Sequence, residues 1–231
     1  MSHSSNNATA RVGDVLDNLP AAQPLLQLCG LTHPSCQQRS LRSAAHAFGL
    51  DADGITARVA RIARLSDDAR YAGAQKLSEL VAQTYRRDYE QRLAALLPMA
   101  ERVESVHDSH PSAPHGLAEA LQDLATLLHA HMPRERRQLA PDDAIDDPLA
   151  PATFRRLGHE HEDIQHLLHS IHALCDEFQT PEDACKLWRK LYTRLQPLIL
   201  DLAENIAVEE TLLYPRLSEQ LARQTVEART R

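Results

Sequence analysis

Between Ala72 and Leu212 only three segments cannot continue a helix, and that spacing most constrains what the chain can fold into. The first, Asp108–Pro114, carries Pro111 and Pro114. The second, residues 137–151, is rich in Asp, Pro and Ala. The third is Thr180-Pro-Glu-Asp183, which reads as a helix start: an N-cap Thr, Pro at the first helical position and acids in the first turn. Four long helices are therefore predicted: Ala72–His107, His115 to the Met132/Pro133 region, Pro151–Phe178, and Thr180 to about Leu212. Pro98 and Pro197 mark kinks within the first and last. Only 7 glycines and 4% aromatic residues, against plentiful Ala, Leu, Arg and Glu, agree with helix and argue against a sheet. Long helices with short connections imply an all-α, up-down four-helix bundle whose core can hold a cofactor.

Ahead of the bundle the pattern is shorter. Residues 1–12 are small and polar and are expected to be disordered. Residues 13–66 read as a small helical module: Val15, Leu16, Leu19, Leu25, Leu26 and Leu28, then Leu41, Ala44, Ala45 and Phe48, then Ile55, Val59 and Ile62 on one stripe. The bundle is assigned to residues 70–220. A formal net charge of −7 gives no electrostatic reason to expect nucleic acid as a partner. No apolar run reaches the ~20 residues of a membrane span, and Met1–Asn7 lacks the apolar core of a signal peptide. Cys29, Cys36, Cys175 and Cys185 form no close pair, so reduced thiols and a cytoplasmic location are expected.

Ten of the 13 histidines lie between His107 and His172, an enrichment that invites a metal-site reading. His131 and Glu135 are an i, i+4 pair and project from one helix face. His161 sits in Gly158-His-Glu-His161, Glu209 follows Asn205 at i+4, and His107 closes the first long helix. In an antiparallel bundle these five residues converge as three imidazoles and two carboxylates, a set suited to iron, manganese or zinc. His159, His166 and His169 read as surface positions, Cys36 as a silent surface or turn cysteine, and Leu187, Trp188, Leu191, Leu195 and Leu198 as core.

The segments Val103-Glu-Ser-Val-His107, His131-xxx-Glu135, the His161 context and Glu209-Glu-Thr-Leu-Leu-Tyr-Pro-Arg216 together resemble the repair-of-iron-centres family, over about residues 13–220. That resemblance implies a hemerythrin-like bundle holding iron on His107, His131, Glu135, His161 and Glu209. It further implies a non-enzymatic role in iron–sulfur cluster repair under nitrosative and oxidative stress, iron–sulfur proteins as partners, and compatibility with a homodimer. The ligand pattern departs from the family's at two places. Tyr85 is followed by Arg86 where the family has His, and Asn205 stands where it has another. A guanidinium cannot ligate a metal, so Arg86 is expected to fork onto Glu135, Glu209 or both. Alternatively, Asp88, Tyr89 or Glu204 supplies oxygen in place of a lost imidazole. One iron, two, or a metal-free paralogue acting as an interaction or regulatory protein all follow from these alternatives.

Overall fold

The computed structural model describes residues 9–85, 88–138 and 150–229. In chain order the helices are α1 (Val12–Asn18), α2 (Gln23–Leu28), α3 (Leu41–Ala47), α4 (Ala52–Tyr71), α5 (Ala74–Thr84), α6 (Tyr89–Val106), α7 (Leu117–Gln138), α8 (Ala150–Leu174), α9 (Lys186–Val208) and α10 (Tyr214–Arg229), with a π-turn at Glu209–Leu213 between the last two. The chain is all-α. Among the described residues the only β pairing is one bridge, Arg11–Ser40, and no helix is long and apolar enough to cross a membrane. Arg86, and most of the predicted 137–151 linker, lie outside the described residues.

The chain divides into two compact units, Met1–Tyr85 with Ala203–Arg231, and Arg86–Leu202. In the first unit, α3 and α4 start on side-chain caps. Ser40 Oγ accepts from the Ser43 N–H at 3.2 Å, and Asp51 Oδ1 accepts from the Gly54 N–H at 3.0 Å. Ile55, Val59, Ile62 and Leu65 bury the apolar stripe of α4, and α3 packs against it. The π-turn closes with a Tyr214 N–H to Glu209 O bond. Pro215 follows at once; it has no N–H to offer, and its ring crowds the carbonyl four residues back, so the widened turn accommodates it.

The second unit holds four long helices. Glu90 meets His129 and Glu104 caps the Ala118 N–H, so α6 and α7 run antiparallel. His131 meets Glu160 and His161, which makes α7 and α8 antiparallel. Arg92 pairs with Asp201 at 2.9 Å while His107 lies on Trp188, and α6 and α9 are antiparallel too. The bundle is up-down, as its short connections imply. Its core is built from stripes at helical spacing: Leu93, Leu96, Ala100 and Val103; Leu117, Leu121, Leu124 and Leu128; Leu157, Ile164, Leu168 and Ile171; Trp188, Leu191, Leu195 and Leu198.

Several helix boundaries differ from the sequence reading; α7, for one, continues through Pro133 to Gln138. The predicted helix over 72–107 is two: α5 ends at Thr84, Tyr85 is extended (φ −103°, ψ 113°), and α6 begins at Tyr89. The extended Tyr85 delivers its hydroxyl to buried Glu204, a tertiary contact to which periodicity is blind. The third helix stops at Leu174 rather than Phe178, because Asp176, Glu177 and Phe178 all have positive φ. Thr180-Pro-Glu-Asp183 does not start a helix, and α9 begins at Lys186. Asp183 is engaged by His110 Nε2 at 3.2 Å, and the Arg189 guanidinium holds the Ala184 carbonyl at 3.0 Å, so tertiary partners hold the segment as a turn.

Candidate metal centre

The apolar stripes of the long helices are interrupted by polar residues at positions that should be core. On α8 the spacing Leu157, Ile164, Leu168 leaves its missing step at His161. On α7 the run through Leu121, Leu124 and Leu128 continues to His131 and Glu135. On α6, Ala100 and Val103 lead to His107, the residue that caps the helix. On α9, Leu198 and Leu202 lead to Asn205 and Glu209. Burying such groups is costly without partners, so each needs a hydrogen bond or a cation.

The second unit brings three of the predicted residues together. His131 Nε2 and His161 Nε2 stand 3.1 Å apart, and Glu135 Oε2 is 3.8 Å from His131 Nε2. His161 and Glu135 are fully buried, and His131 is 3% exposed. His131 is oriented from behind. Its Nδ1 lies 3.0 Å from Glu160 Oε2, while Glu160 Oε1 accepts from Arg134 at 2.8 Å and from Arg156 at 3.0 Å. Burial opposes the charge on Glu160, but hydrogen bonds from His131, Arg156 and Arg134 outweigh it and hold the carboxyl below its usual range. Burial, then the charge of the His161 ring, hold His131 below the usual histidine range against the pull of Glu160 and Glu135. A neutral His131 that gives its Nδ1 proton to Glu160 presents a lone pair at Nε2. This carboxylate–histidine relay is the arrangement that fixes the tautomer of a metal-binding imidazole.

His107 has different surroundings. Its ring lies 5.0 Å from Trp188 and 6.2 Å from His110, and its buried Nε2 has no hydrogen-bond partner among the described residues. In the first unit, Glu209 opens the π-turn fully buried and accepts from Asn205 Nδ2 at 3.0 Å. The buried Asn205 Oδ1 has no hydrogen-bond partner among the described residues.

Of the alternative oxygen donors, Asp88 is exposed. Glu204 is fully buried but committed. Arg61 forks onto both of its oxygens, with Nε to Oε1 at 2.6 Å; Tyr85 Oη donates to Oε1 at 2.9 Å; and Arg58 Nε stands 3.8 Å from Oε2. Burial pushes the Glu204 carboxyl up, opposed by Arg61, Tyr85 and Arg58. Arg61 neutralises buried Glu204, a pair joined across 143 positions; Arg86, expected on Glu135 or Glu209, lies outside the described residues. Sequence reasoning missed Glu160 and Arg61. Glu160 had a local signal, since it adjoins His161 and lies at i+4 from Arg156; Arg61 had none. His159, His166 and His169 are exposed, and Cys36 is buried.

The donor set fits a cation. Two nitrogen ligands at right angles about a first-row ion, each ~2.1 Å from it, lie about 3.0 Å apart; the two Nε2 atoms are 3.1 Å apart. Imidazole nitrogens and a carboxylate are donors that such ions accept. Among the described residues no three His, Cys, Asp or Glu side chains are grouped so as to hold a metal ion, so the His131–His161 pair and its Glu160 support carry the fit.

Comparison with known proteins points to a cation-binding family. The model of the Hemerythrin HHE cation binding domain matches residues 84–217, more than half of the chain. The iron-sulfur cluster repair protein YtfE of Edwardsiella ictaluri is 31% identical over 209 residues, covering 89% of this chain and 95% of the relative. YtfE of Pectobacterium carotovorum subsp. carotovorum is 31% identical over 211 residues, with the same coverage. YtfE of Escherichia coli O81 is 28% identical over 210 residues, covering 89% and 94%. A buried His–His–Glu cluster on antiparallel helices, a family match across the whole bundle, and relatives aligned nearly end to end lead to one conclusion: the chain belongs to the hemerythrin HHE cation-binding family, in its repair-of-iron-centres branch.

Proposed function

We propose that this chain binds iron on its hemerythrin-like bundle and acts in the repair of iron–sulfur clusters damaged by nitrosative or oxidative stress, in the cytoplasm and on iron–sulfur proteins as partners. The observation that carries this reading is the inward pair His131–His161, 3.1 Å between Nε2 atoms, with Glu135 beside it and Glu160 behind it. His131, His161 and Glu135 would hold the metal; His107 and Glu209 are the further ligands the family pattern assigns. Bound iron supplies the redox and Lewis-acid chemistry of repair.

The chain's own residues prepare the site. Glu160 keeps the Nδ1 proton of His131, so the lone pair at Nε2 faces inward without rearrangement. Arg134 and Arg156 keep Glu160 ionised, and therefore able to accept that proton's hydrogen bond at neutral pH. The leucine and isoleucine stripes on either side exclude water from the imidazole pair. The deciding experiment is metal analysis of protein purified from iron-supplemented cells, beside a His131→Ala/His161→Ala double variant. Near-stoichiometric iron that the double variant loses is expected. Less than about a tenth of an equivalent in the wild-type chain, for donors whose affinity should be high at pH 7, overturns the reading.

A further inference from the structure

We propose that Trp188 is a one-electron donor to the bundle's metal centre, and that it lets a single bound iron reduce hydrogen peroxide completely to water. The inference rests on the iron-binding reading above and adds an activity to it.

Trp188 is the chain's single tryptophan and is fully buried. Within the second unit its indole faces two ways. On one side its ring lies 5.0 Å from His107, the ligand that the family pattern assigns. On another it meets the edge of His110 at 5.4 Å, and the His110 side chain is 22% exposed and engages the exposed Asp183. One imidazole therefore lies between the indole and the metal side, and another between the indole and solvent. Electron transfer falls off steeply with distance and is fast between rings in van der Waals contact. This indole is placed to pass an electron inward and to recover one from outside.

The surroundings also keep the oxidised state on the indole. Its Nε1 is buried and donates to no base among the described residues, so the N–H is retained and the product is a radical cation. Tyr192 sits edge-on at 6.1 Å. A tyrosine gives up an electron at neutral pH only together with its proton, yet burial pushes this phenol up to about 13 and the Cys175 thiol that it meets up to about 12. Neither ionises at neutral pH, so Tyr192 does not take over the oxidation.

Hydrogen peroxide then receives one electron from ferrous iron and the second from Trp188. With two protons from solvent its O–O bond breaks to give two waters, leaving ferric iron and the indole radical cation. An external one-electron reductant such as ascorbate returns the electron to Trp188 from the His110 side. Without the second electron, the same peroxide gives one water and a hydroxyl radical, which attacks the nearest side chains.

The test uses the full chain, loaded anaerobically with Fe²⁺, mixed with hydrogen peroxide alone and frozen within milliseconds for EPR. We expect an organic radical whose hyperfine pattern narrows when the chain is made with ring-deuterated tryptophan, a label that marks Trp188 only. Trp188→Phe should lose that radical and raise hydroxyl-radical spin adducts several-fold. A radical that ignores the deuterium label overturns the proposal, as does the absence of any radical in an iron-loaded wild-type chain; neither arm needs a variant to fold. Spin adducts no higher in a folded Trp188→Phe chain overturn it as well. Iron is bound in each of those cases, so only the role of Trp188 falls. A chain that takes up no iron overturns the iron reading with it.

Discussion

Arg61→Met tests the buried charge pair of the first unit, and its cost can be bounded from the structure. Glu204 is fully buried and takes two hydrogen bonds from Arg61, whose side chain is 31% exposed. The variant leaves the carboxylate with Tyr85 Oη at 2.9 Å and Arg58 at 3.8 Å. Breaking a buried pair typically costs ~3–5 kcal/mol. The folded variant has an escape, however, because Glu204 can take up a proton. That caps the electrostatic loss at the cost of protonating a glutamate whose pKa is about 4.3 when unfolded: about 2.7 pH units at ~1.36 kcal/mol each, or ~3.7 kcal/mol at pH 7. At pH 5 the same cap is only ~1 kcal/mol.

The sign follows from linkage. Burial already pushes the Glu204 carboxyl up, and losing Arg61 raises it further. A raised carboxyl costs stability above its unfolded pKa and recovers it as the pH falls toward that value. The wild-type carboxyl already bears part of that cost, so urea unfolding followed by far-UV circular dichroism should show a deficit below the ~3.7 kcal/mol cap at pH 7, shrinking to less than ~1 kcal/mol at pH 5. A deficit that is the same at both pH values, or below about 1 kcal/mol at pH 7, would refute the assignment of Arg61 as the counter-charge of Glu204.

Other outcomes follow from the same structure. Glu160→Gln removes the charge of the acceptor that fixes His131, and competitive titration should show metal affinity reduced by about 10- to 100-fold with the fold intact; an unchanged affinity would mean that Glu160 is only a surface ion-pair partner. His131 is held below the usual histidine range, so its contribution to stability is present above its unfolded pKa of about 6.5 and drains away as the pH falls below that. A His131→Gln variant should therefore lose less stability between pH 7 and pH 5 than wild type, as read by thermal melts. Burial pushes the Cys29 and Cys175 thiols up to about 12, whereas Cys185 is half-buried. Mass spectrometry after brief alkylation of the native chain at neutral pH should find label on Cys185, and label on Cys29 or Cys175 would contradict their burial.

Much of the site is legible in the sequence because helical register is local. Residues three and four apart share a face whatever the rest of the chain does. The stripe through Leu121, Leu124 and Leu128 therefore points to His131 and Glu135, and that through Leu198 and Leu202 to Asn205 and Glu209. Composition and the three breaks likewise suffice for an all-α bundle, since long helices with short connections have few other ways to bury their stripes. What the sequence could not decide depends on partners far away along the chain. Thr180-Pro-Glu-Asp183 carries every local mark of a helix start and is a turn, because His110, 73 positions earlier, takes Asp183. The helix breaks at Tyr85 where its hydroxyl meets Glu204, 119 positions on, and Arg61 reaches the same carboxylate across 143. Register alone could name the candidate donors. That Arg61 meets Glu204 and that Glu160 braces His131 are settled by charges brought together only in the folded chain, where low dielectric makes each pairing count.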